Sequence, residues 1–165
     1  MSEARLVVRL RKTADALERV VALVRRRAFT VRRLSLAEAG HDVVEVYLRI
    51  DEAKTPRDRV RVELEKLVDV LDVRDVTGDP AVRGARELLL ARLHPERAPG
   101  SQAGRTLQDE RGTVLELTGS PEEVDATLSR LTAEGALQEF VRSGEIMLPW
   151  GETGKGKRRQ EDNDP

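Results

Sequence analysis

The 165-residue chain carries 29 basic and 30 acidic residues, a formal net charge of -1, and no cysteine. Near-neutrality gives no electrostatic case for a nucleic-acid or membrane partner, and the missing thiols exclude disulfides, a cysteine nucleophile and Cys-ligated metals. Hydrophobic residues make up 39% of the chain but aromatic ones only 2%, so the core rests on Val, Leu, Ile and Ala, which suits β-branched strands under Leu-rich helices.

The first residues, MSEARLVVRLRK, lack the apolar stretch of a signal peptide. No later run approaches the roughly 20 apolar residues of a bilayer span, so a soluble, cytoplasmic protein is expected. Residues 5–10 form a Val/Leu-rich strand. The period then changes: Leu17, Val20, Val21 and Val24 fall on one face of a helix over residues 16–27. Asp15 and Glu18 have the form of a capping box, and Arg25, Arg26 and Arg27 suit the negative end of the helix dipole. Residues 30–37 are extended, with imperfect alternation. After a turn at residues 39–42, Val44, Val46, Leu48 and Ile50 alternate with Glu45, Tyr47 and Arg49, predicting a hairpin with one buried face. Thr55 and Pro56 open a second helix as N-cap and first residue, with Val60, Leu64 and Leu67 as its stripe. The run VDVLDVRDV closes a β-α-β-β-α-β unit over residues 4–78.

A shortened echo of this unit is expected over residues 85–150. Residues 87–93 and 113–118 read as strands. Ser120 and Pro121 repeat the cap-plus-proline opening, Val124, Leu128 and Leu131 give a stripe, and Gly135 stops the helix. Residues 94–112, rich in Pro, Gly and charge, read as a loop with at most a short helix. The first helix of the echo, alone or together with a strand, is reduced or missing. Residues 137–148 supply a last strand or strand pair, and residues 151–165 read as a disordered tail. The fold class is α+β: a ferredoxin-like βαββαβ domain followed by a smaller α+β domain.

No catalytic constellation emerges. His41 and His94 fall in turns or loops without metal-ligand spacing, no phosphate-loop or GxGxxG pattern occurs, and the acidic pairs Glu63/Glu65 and Glu122/Glu123 have ordinary helix-surface spacing. Arg5, Arg9, Arg11, Lys12, Arg19, Arg25, Arg26, Arg27, Arg32 and Arg33 crowd the first 35 positions. Nucleic-acid binding is one reading of that crowd. With almost no aromatic residues to stack on bases, a solvated face or an acidic protein partner fits better.

The stretches ALERVVALVRRRAFTVRRLSL and ELEKLVDVLDVRDVTG resemble the first helix and strand, and the second helix and strand, of acetolactate synthase small subunits; RELLLARL, LELTGSPEEVDATLSRL and EFVRSGEI follow in that family's order. The resemblance implies an ACT domain. It also implies a non-catalytic regulatory or activating subunit in branched-chain amino-acid biosynthesis, paired with a catalytic large subunit. Thiamine diphosphate, Mg and FAD would belong to that partner, with no cofactor in this chain. In the family an amino-acid effector sits where the first strand meets the first helix, at an ACT–ACT dimer interface. Carried onto this sequence, the effector residues are Lys12, Thr13, Asp15, Ala16, Thr30 and Val31. Lys12 stands where the family has Asn, Asp15 where it has Gly, and Thr30 where it has a second Asn. A carboxylate at position 15 can cap the helix N–H groups a ligand would use and repel the ligand's own carboxylate. Valine feedback is therefore expected to be weakened or lost. A homodimer through the ACT domains is expected, with residues 5–10 and 30–37 as the pairing strands. The alternatives are a free-standing ACT-type sensor and a basic-faced nucleic-acid-binding protein.

Overall fold

The computed structural model describes residues 2–79, 84–97 and 104–147; the tail expected at 151–165 and the last three residues expected in the second domain lie outside these. The first unit runs β1 (Glu3–Arg11), α1 (Ala16–Arg26), β2 (Val31–Glu38), β3 (Val43–Asp51), α2 (Arg57–Glu65) and β4 (Val70–Asp75). Its strands form one antiparallel sheet in the order β2-β3-β1-β4, the split-βαβ arrangement. Leu6, Val8 and Leu10 of β1 and Val44, Val46, Leu48 and Ile50 of β3 point to one face, where Val20 and Leu23 of α1 and Val60 and Leu64 of α2 cover them. Each of these side chains is removed from water almost completely, a gain of about 1.5–3 kcal/mol apiece.

Several local expectations shift. The buried stripe of α1 is Ala16, Val20 and Leu23, whereas Leu17 and Val21 are 38% and 47% exposed. The helix is thus rotated from the orientation its Val/Leu spacing predicts. Asp15 stands at the N-cap but its side chain makes no cap hydrogen bond, so the Asp15–Glu18 capping box does not form. Helix α2 starts one residue later than predicted, after Pro56. The Thr55 hydroxyl instead accepts a hydrogen bond from the Thr30 backbone N–H at 3.0 Å, tying the start of β2 to the entrance of α2. β1 lies between β3 and β4, so both its edges are already paired and residues 5–10 cannot join a second sheet; β2 is an edge strand.

The second unit runs β5 (Glu87–Leu93), β6 (Arg105–Asp109), β7 (Gly112–Gly119), α3 (Pro121–Ala133) and β8 (Leu137–Arg142). Its sheet order, β6-β7-β5-β8, repeats that of the first. The echo has therefore lost no strand. Among the described residues, a 3-10 turn at Pro95–Arg97 stands where the first unit has α1. Strand β6, RTLQD, was hidden within the expected loop because it offers one apolar residue, Leu107, which leaves no alternation to read. Leu89, Ala91, Leu93, Leu115 and Leu117 pack under Val124 and Leu131 of α3 as a separate core. The cap at Ser120 forms in full: its hydroxyl accepts from Glu123 N–H, and the Glu123 carboxylate accepts from Ser120 N–H.

The second unit sits on the first sheet, on the face opposite α1 and α2. Val7, Tyr47 and Val76 make a small apolar contact there with Ala37 and Met147. Glu45 and Arg49 are consequently only 2% and 8% exposed. β3 has two buried faces, not the one its alternating sequence predicts.

Candidate functional site

Lys12 and Thr13 follow β1, and Asp15 and Ala16 begin α1. Lys12 is anchored by its backbone N–H, which donates to Asp42 O at 2.8 Å. Its ammonium lies 2.6 Å from a Glu38 carboxylate oxygen at the end of β2. That hydrogen bond, and the charge behind it, hold the Glu38 carboxyl below the usual carboxylate range. The cation that would greet a ligand carboxylate is therefore already matched.

The Asp15 carboxylate turns along the helix to Arg19, at 3.4 Å, and Arg19 also pairs with Asp69. Asp15 thus leaves the helix N–H groups uncapped, contrary to the expected blockade. It still places negative charge at the end of α1 where the dipole favours an anion.

Thr30 and Val31 lie elsewhere in the chain's own fold. Arg11 pairs with Val43 at one end of β3, while Val31 pairs with Ile50 at the other. At about 3.4 Å per residue the two groups are roughly 24 Å apart along the strand. One chain therefore brings Lys12, Thr13, Asp15 and Ala16 together and leaves Thr30 and Val31 remote. Both polar groups of the Thr30 backbone are used within the chain, the N–H by Thr55 and the carbonyl by the Asp51 N–H at 3.0 Å. Glu38, the residue that neutralises Lys12, was invisible in the sequence. It lies 26 positions away, and only the sheet order brings the ends of β1 and β2 together on either side of β3.

The edge beside this junction is apolar. Leu34 and Leu36 of β2 pair with Leu48 and Val46 and so share the helix-covered face, yet each is 43% exposed. Arg19, paired with Asp69 ahead of β4, marks the flank of α1 that faces α2. Leu17 and Val21 lie roughly 160° round the helix from it, on the flank toward β2. Leu34 and Leu36 therefore leave an apolar strip along the open edge of the sheet.

The N-terminal basic crowd is largely consumed by intramolecular acids. Arg5 meets Glu122 and Glu145, Arg9 meets Glu45, Arg27 meets Glu63, Arg32 meets Asp51, and Arg33 meets Glu87 and Asp125. With Lys12 and Arg19 already paired, seven of the ten cations in that crowd have an acidic partner, which leaves less positive charge free for a nucleic-acid backbone. Among the described residues no group of His, Asp and Glu is arranged to hold a metal ion, and no helix is long and apolar enough to cross a membrane.

Comparison with known proteins agrees with this architecture. Residues 12–73 match the ACT domain family. The chain is 29% identical over 158 positions to the acetolactate synthase small subunit of Haemophilus influenzae, covering 89% of this chain and 95% of that protein. It is 29% identical over 164 positions to the acetolactate synthase small subunit of Mycobacterium leprae, covering 93% and 95%. The crystal structure of the acetolactate synthase small subunit from Thermotoga maritima superposes with a TM-score of 0.73 at 19% identity, covering 92% of this chain and 99% of that one, and so shares the fold. Residues 12–73 are thus an ACT domain, within a chain that resembles acetolactate synthase small subunits over nearly its whole length.

Proposed function

We propose that this chain is the non-catalytic regulatory subunit of an acetolactate synthase, acting in branched-chain amino-acid biosynthesis. The observation that carries the reading is that its similarity to small subunits spans both domains, 93% of the chain and 95% of the Mycobacterium leprae protein. On this reading the chain binds a catalytic large subunit, and thiamine diphosphate, magnesium and FAD belong to that subunit. The catalytic chemistry needs nothing from this chain; its contribution is to bind and to bias the partner's active conformation.

The apolar strip supports a homodimer formed edge to edge through β2. If two copies of β2 pair antiparallel, the Val31 end of one strand lies beside the Glu38 end of the other. Thr30 and Val31 of one protomer then approach Lys12, Thr13, Asp15 and Ala16 of its partner. The six candidate effector residues would meet only across that pairing. With Lys12 matched by Glu38 and a carboxylate at position 15, such a site receives an amino-acid carboxylate poorly, and valine feedback is weak or absent.

Reconstitution with the large subunit tests the reading. Acetolactate formation should rise several-fold when this chain is added and should change little on adding valine. An unchanged rate together with no co-elution of the two subunits overturns the regulatory-subunit assignment. Inhibition by micromolar valine, or calorimetric binding at that level, overturns the feedback part alone.

A further inference from the structure

The contact between the two domains is built mainly of charge. From the ACT sheet come Arg5, Arg33 and Arg49; from the second domain come Glu87, Glu122, Asp125 and Glu145. Arg33 lies 3.3 Å from Glu87 and 3.3 Å from Asp125. Arg5 lies 3.3 Å from Glu122, and Arg49 meets Glu145. Arg142 of the second domain braces the same acids, reaching Asp125 at 2.6 Å and also Glu87. Burial alone would raise the Asp125 carboxyl, yet the hydrogen bonds from Arg142 and Arg33 hold it below its ordinary range.

Such a contact is costly to dry. Arg49 is 8% and Glu145 7% exposed, and the Arg49 Nε finds no hydrogen-bond acceptor among the described residues. Burial, with the charges of Arg5 and Arg33 behind it, pulls the affinity of Arg49 for its proton down. Removing ion pairs from water forfeits hydration that their mutual attraction only partly returns. The compensating apolar contact is small, centred on Val7, Tyr47 and Val76. Each domain meanwhile keeps its own core, so parting them dismantles neither. Domains joined by polar contacts move relative to one another by default.

We propose that the second domain is held on the ACT sheet by a releasable electrostatic clasp, Arg33 and Arg49 against Glu87, Asp125 and Glu145, which opens without unfolding either domain. The inference is independent of the regulatory-subunit reading. It supplies a means by which an event at the ACT domain changes what the second domain presents.

Tyr47 makes the clasp measurable. It is the chain's single tyrosine, 5% exposed; its hydroxyl donates to the Glu45 carboxylate at 2.6 Å and lies 3.2 Å from the Met147 carbonyl across the domain contact. Nitration of the full-length chain by tetranitromethane, followed by mass spectrometry, reads its accessibility. Raising salt from about 50 mM to about 1 M shortens the Debye length to roughly 3 Å. The expected result is a rise in the nitration rate of about tenfold at unchanged far-ultraviolet circular dichroism. Arg33→Glu, which sets like charges against Glu87 and Asp125, should give the high rate already at low salt. Gly144→Ala is a second route, because a Cβ there would lie 2.8 Å from the Ser35 Cβ across the contact. A salt-independent rate overturns the proposal. So does a rise that accompanies loss of secondary structure, because the event would then be unfolding.

Discussion

Lys12, just past the end of β1, and Glu38, the last residue of β2, meet at 2.6 Å across the intervening start of β3. On the effector-site reading proposed above, the pair occupies the position from which a cation would draw an amino-acid carboxylate toward the first turn of α1. Glu38→Gln removes the competing charge and keeps the side chain's size. Titration calorimetry with valine should show binding tighten several-fold relative to the unaltered chain. Equal affinities in the two proteins would mean that Glu38 does not govern access to Lys12.

The exposed edge leads to a prediction about assembly. Leu34 and Leu36 lie on the helix-covered face of an edge strand and are each 43% exposed, and a dimer built along β2 would bury them. Placing a carboxylate in such an interface leaves an unpaired charge to be desolvated. Leu36→Glu should weaken self-association by at least about tenfold, an increment of about 1.4 kcal/mol, in sedimentation equilibrium. The circular dichroism spectrum should not change. Leu88→Glu, on the second domain, serves as the control: it also charges a partly exposed leucine but should leave association intact.

Ser120 caps α3, the longest of the described helices, and the reciprocal pair with Glu123 satisfies two otherwise orphaned N–H groups. Ser120→Ala leaves the Glu123 N–H without its acceptor and should cost about 1 kcal/mol. Urea unfolding should show a lower midpoint at unchanged slope. The corresponding change at the first helix, Asp15→Ala, removes no cap hydrogen bond and should be nearly neutral for stability.

That contrast shows where the sequence was readable. A Ser-Pro-Glu-Glu opening prescribes its own geometry within four residues, so α3 could be foreseen with its cap and its stop at Gly135, which adopts φ 62°. Asp15 has the same local credentials, but Arg19 draws its carboxylate away, and Arg19 is itself placed by Asp69, fifty residues on. β3 misleads for a related reason. Glu45, Tyr47 and Arg49 look like a solvated face until a second domain, folded from residues beyond 85, settles on them. Topology and core were legible because they depend on apolar period. The candidate effector site was legible only as a set of positions, because its ion pairs and the separation of Thr30 from Lys12 are properties of the assembled sheet.

At the turn from β6 to β7, Asp109 is gripped by Arg92 of β5, with both terminal nitrogens at 2.7 Å, and the Arg111 N–H donates to the same carboxylate at 2.8 Å. The Arg92 hydrogen bonds, with the backbone donor next, push the Asp109 carboxyl down to about 2. A carboxyl whose folded value lies below its unfolded value, about 3.9, adds stability that is fully present above the unfolded value. That contribution is lost as the pH falls toward about 2. Carbon-detected NMR of the side-chain carboxyl should therefore find Asp109 still ionised at pH 3, where an unperturbed aspartate is mostly protonated. Arg92→Gln should return its midpoint toward the ordinary value. Arg92→Lys should fall between the two, because an ammonium keeps the charge but cannot form the fork. An Asp109 that titrates normally in the unaltered chain would mean the fork does not persist in solution. The turn joining β6 to β7 would then be held by the backbone alone.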